Sequence, residues 1–360
     1  MNKQKYGQFY TTNYKHILKG MKIPENPSNK WKIIEPFAGK GDLIKFIKIN
    51  SETEVEAFDI DPKHEEVSKR DTLNNPPSYK NRFVVTNPPY LSRNKSKDKK
   101  LFDKYNQNDL FKCFILCLID DPCVGGIIIV PLNFWSSIRE ADVRLREQFL
   151  NIYKIVRLNI FEERVFDDTS YTVCSFSFTK RNKTRDEYER IKAHIYPSNI
   201  VIRFELHEDN RYLIGGDIYA FCGEIIITRL TSKNYDECVK NKTTTQLLMK
   251  CIDDNERNQI SLKFVKKNQI FVDRTPKQSA RTYATLSISP PISLDKQKEL
   301  AKMFNNFLKK YREQYHSLFL CNYRESKDIS RKRISFDLVY NIVSYLLSDD
   351  SSDDSSDDSD

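Results

Sequence analysis

The sequence predicts an α/β fold built on a doubly wound sheet, and three stretches predict it. Trp31 to Ile34 reads as a strand. It runs into the glycine-bearing turn Glu35-Pro36-Phe37-Ala38-Gly39-Lys40-Gly41-Asp42 and then an apolar helical run through Leu43, Ile44, Phe46 and Ile47, the opening unit of a nucleotide-binding sheet. Glu54 to Phe58 reads as the next strand and ends in Asp59-Ile60-Asp61-Pro62; a carboxylate at that strand end is where such sheets hold ribose hydroxyls. Arg82 to Val85 is a short apolar strand that delivers Thr86-Asn87-Pro88-Pro89-Tyr90 to the mouth of the sheet.

Taken in order, residues 6 to 20 begin as a loop and continue as a short helix with Thr11 or Thr12 as its cap, and a helix start can hold a carboxylate. Gly39 and Gly41 let the backbone approach a ligand closely. The turn is neither a GxGxxG dinucleotide loop nor a phosphate-binding P-loop. Asp59 is the ribose candidate, and Asp61 is placed to cap a helix over residues 62 to 69. Asp71 then stands either to accept a bond from an adenine amino group or as a surface acid.

The chemistry concentrates at Asn87. An exocyclic amino group of a nucleobase is a poor nucleophile because its lone pair is delocalised into the ring. Two acceptors, one for each N–H, draw it back onto nitrogen. The Asn87 side-chain oxygen and the Pro88 carbonyl offer that pair, since consecutive prolines fix φ and leave no competing donor beside it. Tyr90 offers a flat face for stacking. The plain alternative is an ordinary strand exit of the kind Asn-Pro marks.

Ser92 to Lys100 is polar, basic and aperiodic, a mobile loop beside the pocket with Lys95 and Lys97 to clamp phosphates. Helices are expected over 109–118 and 140–150, and strands over 125–131, 153–158 and 172–178. Between the last two, Phe166 is a second stacking candidate, with Tyr171 close enough to compete.

Charge and cysteine usage bound the setting. The 360 residues carry a formal charge of +9, but seven aspartates fall in residues 349 to 360, so the rest of the chain stands at +16. Such a body suits a polyanionic partner, a solvated lysine-rich face being the alternative. No apolar run reaches membrane-spanning length, and no apolar signal segment follows the first residues, so an intracellular, soluble protein is expected. The eight cysteines form no CxxC pair; free thiols are expected, without a disulfide framework or a metal site.

Tyr6 to Thr12, Glu35 to Leu43, Asp59, Asp71, Asn87-Pro88-Pro89-Tyr90, Gly125 to Pro131 and Val165-Phe166 together resemble the ordered motifs of S-adenosylmethionine-dependent DNA adenine-N6 methyltransferases of the gamma class, as found in type II restriction-modification systems. The likeness covers about residues 6 to 178. It implies a Rossmann-like class I methyltransferase domain: a mixed, mostly parallel, seven-stranded sheet with flanking helices, followed by a smaller α+β target-recognition domain. It further implies that Thr11 contacts the methionine carboxylate of the cofactor. Glu35, Phe37, Ala38, Gly39 and Gly41 line the methionine side, Asp59 and Ile60 lie at the ribose, and Asp71 meets the cofactor adenine. Asn87, Pro88, Pro89 and Tyr90 are the implied catalytic segment, with Tyr90 and Phe166 sandwiching a flipped adenine. The large residue Phe37 departs from the small ones usual there.

Three regions are therefore expected: a catalytic domain over 1–180, a target-recognition region with C-terminal helices over 181–347, and a disordered acidic tail over 348–360. In the second region Lys266, Lys267, Arg274, Lys277 and Arg281 are interleaved with Gln269, Gln278, Phe271 and Tyr283, a mix that suits phosphate anchoring plus base-edge readout. Strands are expected over 199–206 and 224–230, and amphipathic helices over 294–319 and 336–347. The expected partner is double-stranded DNA, with room for a separate cognate restriction endonuclease. Serines followed by acids in the tail suit a eukaryotic host cell or a virus of eukaryotes. Asn87 favours adenine over cytosine N4. RNA adenine and protein glutamine share the same electronic problem, and a catalytically idle DNA-binding scaffold is the alternative of another class.

Overall fold

Strands buried on both faces read as continuous apolar runs, and Ile33-Ile34, Val84-Val85 and Ile127 to Val130 are all within 1% of full burial. They lie in β1 (Lys32–Glu35), β4 (Arg82–Thr86) and β5 (Gly125–Pro131) of a sheet completed by β2 (Val55–Asp59), β3 (Ser68–Lys69), β6 (Tyr153–Phe161), β7 (Val173–Lys180), β8 (Arg190–Tyr196) and β9 (Ile200–Glu205). The computed structural model describes residues 7, 9–166, 171–182, 190–254, 258–274, 282–322 and 332–353, without the side chains of 321, 322 and 349–353.

The strand order is β3-β2-β1-β4-β5-β7-β6-β8-β9. β3 through β5 run parallel, β7 lies antiparallel between β5 and β6, β8 is parallel to β6, and β9 returns antiparallel. The sheet thus has nine strands where seven were expected. Helix α1 (Asp42–Asn50) buries Leu43, Ile44, Phe46 and Ile47. Helices α2 (Leu110–Asp120) and α3 (Glu140–Ile152) are joined by a buried ion pair, Lys112 Nζ to Asp142 Oδ1 at 2.5 Å.

Two compact units divide the chain, the first running to Glu208 and the second starting at Asp209. The boundary expected at 180 is therefore corrected. β8 has an alternating burial pattern and hydrogen-bonds along β6, covering an edge that would otherwise stand unpaired. The helix expected over 62–69 does not form. Val67 is its one buried side chain, too little for an apolar stripe, and the segment makes a turn and then β3.

The second unit holds an antiparallel sheet of β10 (Ile226–Arg229), β11 (Thr244–Lys250), β12 (Ser261–Phe264) and β13 (Tyr283–Ser289), in the order β10-β13-β11-β12. Helix α4 (Leu294–Tyr315) buries Leu300, Phe304 and Leu308 in its core. α4 stops before the expected 319, because His316 takes a left-handed φ of 49°. Helix α5 (Phe336–Asp353) runs into the first residues of the acidic repeat, so residues 348–353 are helical rather than disordered; residues 354–360 lie outside the described residues. No helix among the described residues is long and apolar enough to cross a membrane.

Candidate active site

The strand order reverses between β1 and β4, the place where open α/β sheets leave a crevice at the carboxyl ends of their strands. A cavity of about 930 Å³ occupies it. Thr11, Glu35, Phe37, Ala38, Gly39, Asp59, Ile60, Asp71, Asn87 and Pro89 of the predicted set line this cavity; Gly41, Pro88, Tyr90 and Phe166 do not.

Glu35 ends β1 with no solvent exposure. Its Oε1 accepts from the Thr86 hydroxyl at 2.5 Å and from the Phe37 backbone N–H at 3.1 Å, whereas its Oε2 has no partner. Burial pushes its carboxyl up to about 8, against the pull of those two hydrogen bonds. A buried carboxylate oxygen without a donor is costly. An ammonium group of a ligand in the cavity would satisfy it, and so would bring the carboxyl back toward its ordinary range.

The glycine turn is held from below. Asp59, 3% exposed at the end of β2, accepts from the Gly39 N–H through Oδ2 and from the Asp61 N–H through Oδ1, both at 2.8 Å. Asp59 is thus first a tether of the turn. Asp71 Oδ1 accepts from the Asn74 N–H at 3.0 Å, and the buried Thr72 hydroxyl donates to the Pro36 carbonyl at 2.9 Å. Gly41 has φ 78°, and a Cβ there would stand 2.8 Å from the His64 ring. Gly41→Ala is expected to lower stability by about 1–2 kcal/mol, the cost of a left-handed non-glycine residue, read as a fall in thermal midpoint.

Thr11 does not cap a helix. The helical turn that follows, Tyr14–Ile17, has Asn13 at its start with no side-chain cap, and it is too short to present an anion site. Thr11 is buried instead against Asn87, whose Nδ2 donates to Thr11 Oγ1 at 3.1 Å and to the Phe9 carbonyl at 2.9 Å. These two acceptors fix which end of the amide is nitrogen. Asn87 Oδ1 faces the Tyr90 hydroxyl at 2.5 Å; that hydroxyl, with a single proton, also lies 2.9 Å from the Ile129 carbonyl.

Tyr90 is not the open stacking face expected of it. It is 3% exposed, and burial raises its hydroxyl well above the ordinary range. Phe111, Phe166 and Tyr171 meet its ring edge-on at 6.3 to 6.5 Å between centroids, while Phe9 lies stacked on it at 5.3 Å and 28°. Phe166 is itself buried, 6.3 Å from the Phe9 ring.

Lys95 and Lys97 are exposed at the cavity wall. Hydrogen bonds tie their loop, expected to be mobile: Lys99 Nζ donates to the Arg93 and Ser96 carbonyls, and the Arg93 N–H donates to the Asn108 carbonyl at 2.9 Å. In the second unit Lys266, Lys267 and Arg274 are exposed, as are Phe271 and Tyr283; Lys277 and Arg281 lie outside the described residues. Sequence reasoning did not single out Phe9, Tyr10 or Thr86. Phe9 and Tyr10 stand in an aromatic run between polar residues, the one signal that marks them, and Tyr10 packs on Gly39 with Lys40 Nζ 4.7 Å from its ring centre.

The fold and site define a mixed α/β protein with a ligand cavity at the switch point of a mostly parallel sheet. Solved structures with a partly similar backbone include restriction-modification proteins. One is a modification subunit assigned to a type I restriction enzyme from Vibrio vulnificus (13% identity, TM-score 0.40, 71% of this chain and 58% of that one). Another is a type I methyltransferase subunit from Streptococcus thermophilus (15%, TM-score 0.38, 53% and 48%), and a third is the EcoKI M protein (13%, TM-score 0.35, 79% and 68%). The chain spans little more than half the length of the first of these. No family model and no curated protein matches its sequence.

Proposed function

We propose that the chain is an S-adenosylmethionine-dependent methyltransferase acting on the N6 amino group of adenine in double-stranded DNA. The observation that carries this reading is the placement of the Asn87 amide, fixed by Phe9 and Thr11, at the wall of a cavity that also holds the unpartnered Glu35 carboxylate oxygen. The cofactor, when bound, supplies an electrophilic methyl group. Residues that suit it are Glu35 for an ammonium, the Gly39 turn for close backbone approach, and Asp59 and Asp71 for hydroxyl and amino donors.

The protein's own part is to make an amino nitrogen nucleophilic. Asn87 Oδ1 has a second lone pair beyond the one facing Tyr90; with the Pro88 carbonyl it accepts the two N–H groups of the base and draws the lone pair onto nitrogen. Such aimed acceptors act strongly because the site excludes water. Lys95 and Lys97 are the residues to meet phosphates at the cavity. In the second unit Lys266, Lys267 and Arg274 are proposed phosphate contacts, beside exposed Phe271 and Tyr283.

The test is label transfer from methyl-labelled S-adenosylmethionine by the full chain, with unmethylated genomic DNA, RNA and total protein offered in parallel. Label in DNA is expected. Label confined to RNA or protein would replace the substrate, and no transfer to any acceptor would leave a catalytically idle scaffold.

A further inference from the structure

The ring of Phe9 is not what fixes Asn87. It is half-buried at the cavity wall, and the hydrogen bond that fixes Asn87 is made by the Phe9 main-chain carbonyl, not by the ring. The ring nevertheless occupies the face of Tyr90. Among the described residues, Phe9 is the aromatic ring stacked on Tyr90, whereas Phe111, Phe166 and Tyr171 stand steeply inclined to it. Phe166 lies beside this pair, 6.3 Å from the Phe9 ring and 6.5 Å from the Tyr90 ring between centroids. A flat six-membered ring therefore already sits on the face of the tyrosine expected to stack on a target base, while its own main-chain carbonyl holds the Asn87 amide.

We infer that the Phe9 side chain holds the place of the target base on Tyr90, and that a planar base carrying an exocyclic amine displaces it while the Phe9 carbonyl stays on Asn87. This rests on the reading of that slot as the base site and adds its regulation. The backbone anchor consists of the Asn87 bonds to Phe9 and Thr11 and the Tyr90 N–H to Gly7 carbonyl bond at 2.9 Å. With those in place, turning one side chain opens the slot, and the amide orientation survives the exchange. The resting ring keeps the apolar walls covered, so a base gains only the difference between its own stacking and that of Phe9. A base that stacks weakly or lacks partners for Asn87 and Pro88 does not gain enough to displace it. Phe9 is in this account a specificity-determining residue.

The test titrates 9-methyladenine, a base without sugar or phosphate, into the full chain and into Phe9→Ala, Phe9→Leu and Phe9→Ala/Tyr90→Ala, each first checked by thermal melting. Phe9→Ala leaves the carbonyl in place and is expected to bind the base at least about threefold more tightly than the wild type, the size of one aromatic pair. Phe9→Leu is expected to gain about twofold and carries the comparison if the alanine variant does not fold. Loss of the gain in the double variant places the base on Tyr90. Equal affinity in all folded variants, or a gain that persists without Tyr90, overturns the inference. Methyl transfer by the wild type is scored separately. Transfer together with unchanged base binding sinks the place-holder alone, whereas a Tyr90-dependent gain without any transfer upholds it and sinks the methyltransferase reading.

Discussion

Asn87→Ala is expected to lower methyl transfer by at least roughly a hundredfold, the usual cost of deleting one aimed polar partner from a desolvated site, with a much smaller effect on cofactor affinity. The asymmetry follows from where the amide sits. Its nitrogen is spent on the Phe9 carbonyl and Thr11, and its oxygen, which faces the Tyr90 hydroxyl, is the atom proposed to accept from the base. Asn87→Asp sharpens the test, because it keeps an acceptor of the same shape but loses the donor. A carboxylate oxygen would then face the Phe9 carbonyl, the side chain would turn away, and transfer would fall nearly as far as in the alanine variant. Single-turnover transfer beside calorimetric cofactor binding separates the two effects. Equal losses in both quantities would assign Asn87 to cofactor holding instead.

Glu35→Gln is expected to stabilise the ligand-free protein at pH 8–9 and to weaken cofactor binding. Burial holds the folded-state carboxyl at about 8, against 4.5 ordinarily. An acid raised on folding favours the folded state most when it is protonated. Stability from this group is therefore complete below about pH 4.5, falls as pH rises from there to 8, and stays low above. Each pKa unit is worth about 1.4 kcal/mol, so the swing is on the order of several kcal/mol. Glutamine keeps an acceptor for Thr86 and Phe37 and carries no charge, so its thermal midpoint should lack this slope and exceed that of the wild type at high pH. The same change removes the charge offered to an ammonium. A variant that is more stable and binds less is the mark of a group kept for function; a Glu35→Gln protein with an unchanged pH slope would show that the carboxylate is solvated in solution.

Local signals carried the parallel half of the sheet well. Ile33-Ile34, Val84-Val85 and Ile127 to Val130 are uninterrupted apolar runs, and glycine or Asn-Pro punctuation follows the first two, so both the strands and their functional ends were visible. What failed were features decided by tertiary pairing. β8 and β9 lie beyond a basic stretch where the composition changes, and only the unpaired edge of β6 explains why they join the first sheet. The turn at 62–69 carries one buried apolar side chain, so no periodicity could have specified it. Glu35, Gly39, Asp59, Asp71 and Asn87, expected as site residues from motif and resemblance, all line the cavity. The failed helix cap at Thr11, the covering of Tyr90 and the presence of Phe9 were not legible because they depend on contacts across 76 to 81 residues of chain, which no local pattern encodes. The shorter separation is that of Asn87 from Thr11 and the longer that of Tyr90 from Phe9.

The most direct test of the central claim is nucleoside mass spectrometry of unmethylated DNA incubated with the full chain and S-adenosylmethionine, with the Asn87→Ala protein alongside. N6-methyladenine formed by the wild type and absent with the variant is the predicted result. N4-methylcytosine in its place, or N6-methyladenine formed equally by the variant, would contradict it.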